Sequence, residues 1–338
     1  MKCFFIGLFA DEKLCGVALS QFLNLKTVES FGDRDQCLKT KIRNLVFKNF
    51  SSNVLFIGNN MLTGQNAYVL HGNISEADAL QQLEKALHEL KRAYRKKCIH
   101  INILSIKDFN ASELSDFTAA GFKGYYKFCT QPNMVFDIRP DWLSMDDYLA
   151  DLSTKYRTQY NRARKKAEGI EKRKLSEADI AAHQSCIQRL YLTVAGNASF
   201  NTFHLPDNHF LSFKQQLGND FLFYGYFLAG KLIGFNTLIK NGPDMDTYFL
   251  GYDAALQKEK MLYLNMLYDM AGYAIKKQFK HIILGRSAME IKSSVGARAE
   301  NVYGLIKHTN PFINIFMERL FTYFDPVIKW TERSPFKN

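Results

Sequence analysis

Groups able to move a proton or hold an anion gather in one part of this sequence. Tyr248, Tyr252, Asp253, Tyr263 and Glu290 follow one another closely, with His204 upstream. Any of them could serve as a general acid or base. Arg286 and Lys292 come next, a pair suited to a carboxylate or a phosphate. A core packing role accounts equally well for tyrosines in a chain that holds 17 of them, and an ion pair with Glu290 accounts equally well for Arg286 and Lys292. No His, Cys, Asp or Glu grouping has metal-ligand spacing, so no metal is expected.

These residues need a frame, and Asp246 to Arg286 supplies it. Tyr248, Phe249 and Leu250 are strand formers that end at Gly251. Apolar residues at 261, 264, 267, 268, 271 and 275 repeat at helical spacing. His281 to Gly285 is a short apolar strand closed by a breaker. A strand, short loop, helix and strand in this order put the free N–H groups of the helix start at the carboxyl end of the first strand. Such groups hold anions.

The chain has 338 residues, enough for two domains with separate cores. No apolar run approaches the roughly 18–20 residues of a membrane span. Met1 to Ala10 is apolar but short, and Asp11-Glu12-Lys13 follows at once, which favours an N-terminal strand over a signal peptide. The six cysteines show no CxxC pair and read as reduced thiols of a cytoplasmic protein, one able to associate with a membrane. The net charge is +11, and Lys155 to Lys174 holds nine Lys or Arg against two Glu. A segment of that kind is a solvated helix face or a surface for phosphates, RNA or anionic lipid.

Elsewhere the chain alternates strands and helices. Lys41–Phe50 reads as a helix, 54–58 and 67–71 as strands, and Glu76 to Lys96 as an amphipathic helix capped by Ser75. A strand at 98–104, a short helix ending at Gly121, and two closing strands at 125–129 and 134–138 complete the first half. Arg139-Pro140-Asp141 breaks the pattern, which predicts domains at 1–138 and 139–338. In the second half a basic helix from Ser153, helices from Glu177 and Phe210, and a hairpin turning at Ala229-Gly230 precede the stretch described above. A short helix then ends at Gly296, and a strand runs from Asn301 to Lys307. The two halves repeat one pattern: Tyr68 and Tyr248 each precede a long helix, followed by His100 and His281, at offsets of 180 and 181 residues. The tail, Phe312 to Phe324, is an apolar helical stripe opened by Asn310-Pro311. It either packs on its own domain or lies on a membrane, assisted by Lys155–Lys174.

Hairpin, third strand, long helix, strand, short helix, strand is the element order of the GNAT acyltransferase fold. Residues 139–310 resemble the acetyltransferase domain of Fem-type peptidoglycan-biosynthesis proteins and their relatives. The resemblance rests on Asp147 to Arg157 with its basic helix, on Gly230-Lys-Leu-Ile-Gly-Phe235, and on Gly285 to Lys292 with Gly296. Fem-type proteins are tandem GNAT folds, so the resemblance implies two α/β (α+β) domains. Each would be a mixed, mostly antiparallel sheet flanked by helices, the first of them structural.

The resemblance further implies N-acyl transfer from acyl-CoA to an amine, small or lipid-linked. The oxyanion would meet a backbone N–H near Leu250 or Gly251, where Gly251 lets the strand bulge away from its neighbour. Tyr248 and Glu290 would handle protons, Tyr263 would protonate the leaving thiolate, and His204, Arg286 and Lys292 would bind substrate. Gln257, Lys258, Lys260, Met261 and Leu262 stand where the family carries its coenzyme A loop, Q/R-x-x-G-x-G/A. The Gln is present, but Lys260 and Leu262 replace the glycines. A side chain there crowds close backbone approach. Two other readings therefore stay open. One is Fem-type transfer from aminoacyl-tRNA to a cell-wall precursor, and the other is a non-catalytic module binding RNA or a membrane.

Overall fold

A computed structural model describes residues 1–25, 52–64, 67–71, 74–129, 131–197, 201, 203–324 and 330–337. The expected helix at 41–50 lies outside the described residues. The chain forms two compact units. One comprises Met1–Pro132, Ser199–Phe203 and Asn301–Ile328, the other Asn133–Ala198, His204–Glu300 and Lys329–Asn338.

The first unit opens with β1 (Lys2–Ala10) and β2 (Lys13–Asn24), joined through Asp11 and Glu12 at φ 47° and 63°. Both values belong to the tight turn whose twist matches a hairpin. Then come β3 (Asn53–Ile57), β4 (Tyr68–Leu70), α1 (Glu76–Lys96) and β5 (Ile103–Phe109). The Ser75 side chain accepts from the Asp78 N–H and fixes the start of α1, while Leu80, Leu83 and Leu87 are buried. α2 (Leu114–Ala119) and β6 (Tyr126–Cys129) complete this part of the unit.

The second unit starts at β7 (Asn133–Asp137), then α3 (Met145–Asp151), α4 (Thr154–Lys166) and β8 (Ile170–Lys174). α5 (Glu177–Ala182), α6 (Gln184–Ala195) and α7 (His209–Leu217) precede the hairpin of β9 (Phe221–Leu228) and β10 (Lys231–Asn241). β11 (Asp244–Tyr252), α8 (Ala254–Lys260), α9 (Leu262–Lys276), β12 (His281–Gly285), α10 (Met289–Ser293) and β13 (Arg298–Glu300) follow. The chain then returns to the first unit with β14 (Tyr303–His308), α11 (Pro311–Asn314) and α12 (Met317–Phe324). No helix among the described residues is long and apolar enough to cross a membrane.

The two sheets repeat one design. The first runs β1-β2-β3-β5-β14-β6, with β4 also on β2; the second runs β13-β7-β12-β11-β10-β9-β8. Among the described residues each contains one parallel pair, β3 with β5 and β11 with β12, and is otherwise antiparallel. A parallel pair needs a crossover, and α1 and α9 provide it. α9 is buried along most of its faces, with Leu264, Met266, Leu267, Tyr268, Met270 and Ala274 all below 5% exposed.

The division at 138/139 is corrected by the sheets. β7 does not close the first sheet beside β6 but pairs with β12 and β13 in the second. β14, from the far end of the chain, pairs with β5 and β6 in the first. The halves thus exchange one strand each. Three smaller expectations also change. The strand expected at 98–104 begins at Ile103, because the N–H groups of Lys97, Cys98 and Ile99 still bond back to carbonyls of α1. The basic segment is not all helix: Gly169, at φ 82°, ends α4, and Ile170–Lys174 forms a charged edge strand. The loop expected before α9 is the helix α8, which starts on the Asp253 cap and stops at Met261 in the left-handed region, φ 49°.

Candidate functional site

The strand that follows the β9–β10 hairpin, β11, shapes the site. It pairs with β12 only through Asp244, Met245 and Asp246 against His281, Ile282 and Ile283. Beyond that point β12 continues along β7, and no ladder joins it to Tyr248–Tyr252. On the other side, Asn236 pairs with Leu250 but Leu238 pairs with Thr247. Tyr248 and Phe249 therefore face a single residue, Thr237, and form a bulge. The Thr237 hydroxyl holds it by donating to the Phe249 carbonyl at 2.6 Å.

The bulge thus lies two residues before the expected Gly251. Gly251 has a packing reason of its own, since a Cβ there would come within 2.6 Å of Leu190 and 2.7 Å of Tyr191 backbone atoms in α6. Leu250 remains half-buried on the face opposite. Asn236, across from Leu250 on β10, is 1% exposed, and its Oδ1 has no hydrogen-bond partner among the described residues. Sequence reading passed over it because a single Asn in an apolar strand carries no motif.

Tyr248 meets a histidine, but not His204. Its hydroxyl lies 3.0 Å from Nε2 of His209. The Tyr248 ring stacks on Phe213, with centroids 5.2 Å apart. Burial raises the Tyr248 hydroxyl above its ordinary range and pushes His209 down to about 4, so the imidazole is neutral at neutral pH. His204 is exposed, while the neighbouring Leu205 is buried and donates its N–H to Tyr191. The stripe of His209, Phe210 and Phe213 on α7 was the available signal: in a helix it turns the histidine inward.

The expected donor residues are arranged differently from a glycine loop. Gln257 Oε1 accepts from the Tyr263 N–H at 3.1 Å, so the protein itself occupies one of the free amides at the start of α9. The Lys260 and Met261 carbonyls accept from Asn265 Nδ2 at 3.2 and 3.1 Å. Leu262 is a core residue, 1% exposed. Lys258 is exposed, and Lys260 lies 3.9 Å from Glu259. Burial raises the Tyr263 hydroxyl, which stays protonated, and its ring lies 6.4 Å from that of Tyr252.

Lys292 does not bind substrate in this arrangement. It is 3% exposed, and its Nζ donates to the Leu284, Gly285 and Arg286 carbonyls at 2.7, 3.2 and 2.8 Å. The ammonium ties down the turn after β12, and burial lowers its pKa to about 7. Arg286 is half-buried in that turn. Glu290 pairs with Arg333 rather than with Arg286 or Lys292. The basic segment is also partly consumed. Arg164 and Lys172 reach Asp269 at 2.9 and 3.7 Å, and Tyr226 donates to the same carboxylate at 2.9 Å. Lys155, Arg162, Lys165 and Lys166 remain exposed on α4.

No protein-family model and no curated protein matches the chain. Solved structures do. The C-terminal domain (DUF2156) of a putative lysylphosphatidylglycerol synthetase from Agrobacterium fabrum is 10% identical, with TM-score 0.54 over 95% of this chain and 87% of that one. FemX is 12% identical, with TM-score 0.54 over 96% and 90%. A conserved protein of unknown function from Bacteroides thetaiotaomicron VPI-5482 is 12% identical, with TM-score 0.50 over 75% and 79%. The chain has a tandem GNAT fold. At these identities the likeness is one of architecture. It extends through both GNAT-like units, which agrees with the repeated sheet order.

Proposed function

We propose that the second GNAT-like unit transfers an acyl group from an acyl-thioester, acyl-CoA, to an amine. The observation that carries this reading is the parting of β11 from β12 beside the Tyr248–Phe249 bulge. No β12 ladder reaches Leu250 and Gly251, and N–H groups that face a gap of that kind would stabilise the oxyanion of acyl transfer. The Asn236 carbonyl oxygen fits an amide-bearing donor arm, because a buried acceptor without a donor is costly until one arrives. When bound, the donor supplies the activated acyl carbon. Tyr263, protonated at neutral pH, would relay the proton that the attacking amine loses to the departing thiolate, and so end the step protonated again. His209 is too weak a base to keep a proton from an amine, so its role is to hold the Tyr248 hydroxyl toward the reacting centre. With Gln257 on the Tyr263 amide, Lys258 and Lys260 would meet the donor's phosphates by side-chain charge.

The same departure from a glycine loop favours a second reading, aminoacyl transfer from tRNA. The exposed α4 cations, Lys155, Arg162, Lys165 and Lys166, would then lie along RNA. The C-terminal domain from a protein named as a putative lysylphosphatidylglycerol synthetase is in keeping with an acceptor that is lipid-linked.

Thermal unfolding with added ligand separates the readings. Acetyl-CoA at about 100 times its Kd should stabilise the protein by about 2.7 kcal/mol, and Lys258→Glu with Lys260→Glu should remove most of that gain. No response to acyl-CoA, with a steeply salt-dependent response to bulk tRNA, selects the second reading. Silence to both leaves a GNAT-like module without transferase chemistry.

A further inference from the structure

The first unit carries an apolar tip that is held rigid and left in water. Asn310 caps α11 by accepting from the Phe312 N–H at 2.9 Å, and Pro311 fills the first helical position. Asn314 pins the same turn twice: its Oδ1 accepts from the His308 N–H, and its Nδ2 donates to the Gly124 carbonyl, each at 2.8 Å. Met317 then enters the core at 3% exposure, against Leu23, Val54, Ile103 and Ile306. Between these anchors Phe312, Ile315 and Phe316 stand 78%, 73% and 52% exposed. Leaving three such side chains in water is unfavourable, and the anchors prevent them from folding back.

Lysines surround the anchoring turn. Lys123 precedes Gly124 and is exposed, and its carbonyl accepts from Lys307 Nζ at 3.0 Å. Lys307 also lies 5.0 Å from the centre of the Tyr125 ring. Exposed Lys127 follows on β6, and Lys91 of α1 lies near enough to Lys307, and to Arg95 on its own helix, that like charge depresses the Lys91 pKa beyond the effect of burial. Glu84, the carboxylate acting on Tyr125, is already bonded to His88.

We propose that this tip inserts into an anionic lipid surface, with Phe312, Ile315 and Phe316 entering the acyl boundary and Lys123, Lys127 and Lys307 meeting the headgroups. Three protruding side chains bury too little for a stable protein interface, which takes about 800 Å² from each partner. They suffice for shallow insertion when cations add their attraction. The sequence paired this stripe with Lys155–Lys174, but that segment belongs to the other unit. The inference stands apart from the acyl-transfer reading and needs no donor.

The test is co-sedimentation of the full chain with vesicles of phosphatidylcholine, alone or with phosphatidylglycerol. Binding should require phosphatidylglycerol, fall at least tenfold in Phe312→Ser with Ile315→Ser, and fall again in Lys123→Glu with Lys127→Glu. Phe316→Trp should show a blue-shifted emission on binding. Phe5 and Phe9, exposed on the edge strand β1, supply the control: Phe5→Ser with Phe9→Ser should bind as the parent does. The proposal fails if the tip variant binds normally, if neutral vesicles bind equally, or if the β1 variant alone loses binding. It fails also if Phe312→Ser converts a dimer in solution to a monomer without changing vesicle binding.

Discussion

His209 should make the stability of the second unit depend on pH with a definite sign. Its imidazole ordinarily titrates at 6.5 and is pushed down to about 4 by burial. Between those values the unfolded chain binds a proton that the folded chain refuses, so the stabilising contribution is fully present above 6.5 and is lost as pH falls toward 4. A shift of that size corresponds to about 3 kcal/mol, and screening at the partly open edge of the ring brings the expectation to about 2 kcal/mol. Asp246 acts in the opposite direction. It is 2% exposed, and burial raises its pKa from 3.8 to about 6, against a lowering by the Asn241 hydrogen bond and with a small added push from Asp244. Its contribution is present below 3.8 and is lost as pH rises through about 6. The parent profile over this range therefore mixes two opposed slopes, and only a difference profile isolates either one. Urea unfolding of the parent and of His209→Gln, at intervals from pH 4 to 7.5, supplies it. The stability difference should grow by about 2 kcal/mol from pH 4 to 6.5 and then level off. A difference that does not vary with pH, or that grows toward acid, would refute the assignment of a buried neutral imidazole.

Asp246→Asn should stabilise the protein by about 2 kcal/mol at pH 7 and by little at pH 4, measured by the same unfolding series, because the amide escapes the cost of burying a charge. Gly251→Ala should cost about 1–3 kcal/mol or prevent folding, since the clash is with α6 backbone as well as with the buried Phe235 ring; an unchanged urea midpoint would show that both yield freely. Asn236→Leu should leave stability equal or higher by about 1 kcal/mol while abolishing donor-induced stabilisation, so a retained ligand response in thermal unfolding would remove Asn236 from the site. Asp269→Ala should cost about 1–3 kcal/mol, because Arg164, Lys172 and the Tyr226 hydroxyl lose a shared partner; circular dichroism melts would detect a smaller effect.

The sequence by itself determined the elements whose signals are local. Ser75 and the leucine stripe set α1 from its first residue to its last, and the Ala229-Gly230 turn set the β9–β10 hairpin. The spacing of the two halves announced two copies of one unit, and both sheets have that order. Caps, turns and periodicity act over a few residues, so they are legible in a linear reading. Tertiary structure alone decided which sheet each strand joined. Met134 to Ile138 alternates in the same way whether it sits beside β6 or β12, and only pairing across the whole chain assigns β7 to the second sheet and β14 to the first. It also decided that His209 meets Tyr248 while His204 stays exposed, that Lys292 serves three carbonyls, and that Gln257 fills an amide at the start of α9. Residue types announce what a group can do. Its partner depends on burial and on chain segments distant in sequence, which no short-range pattern records.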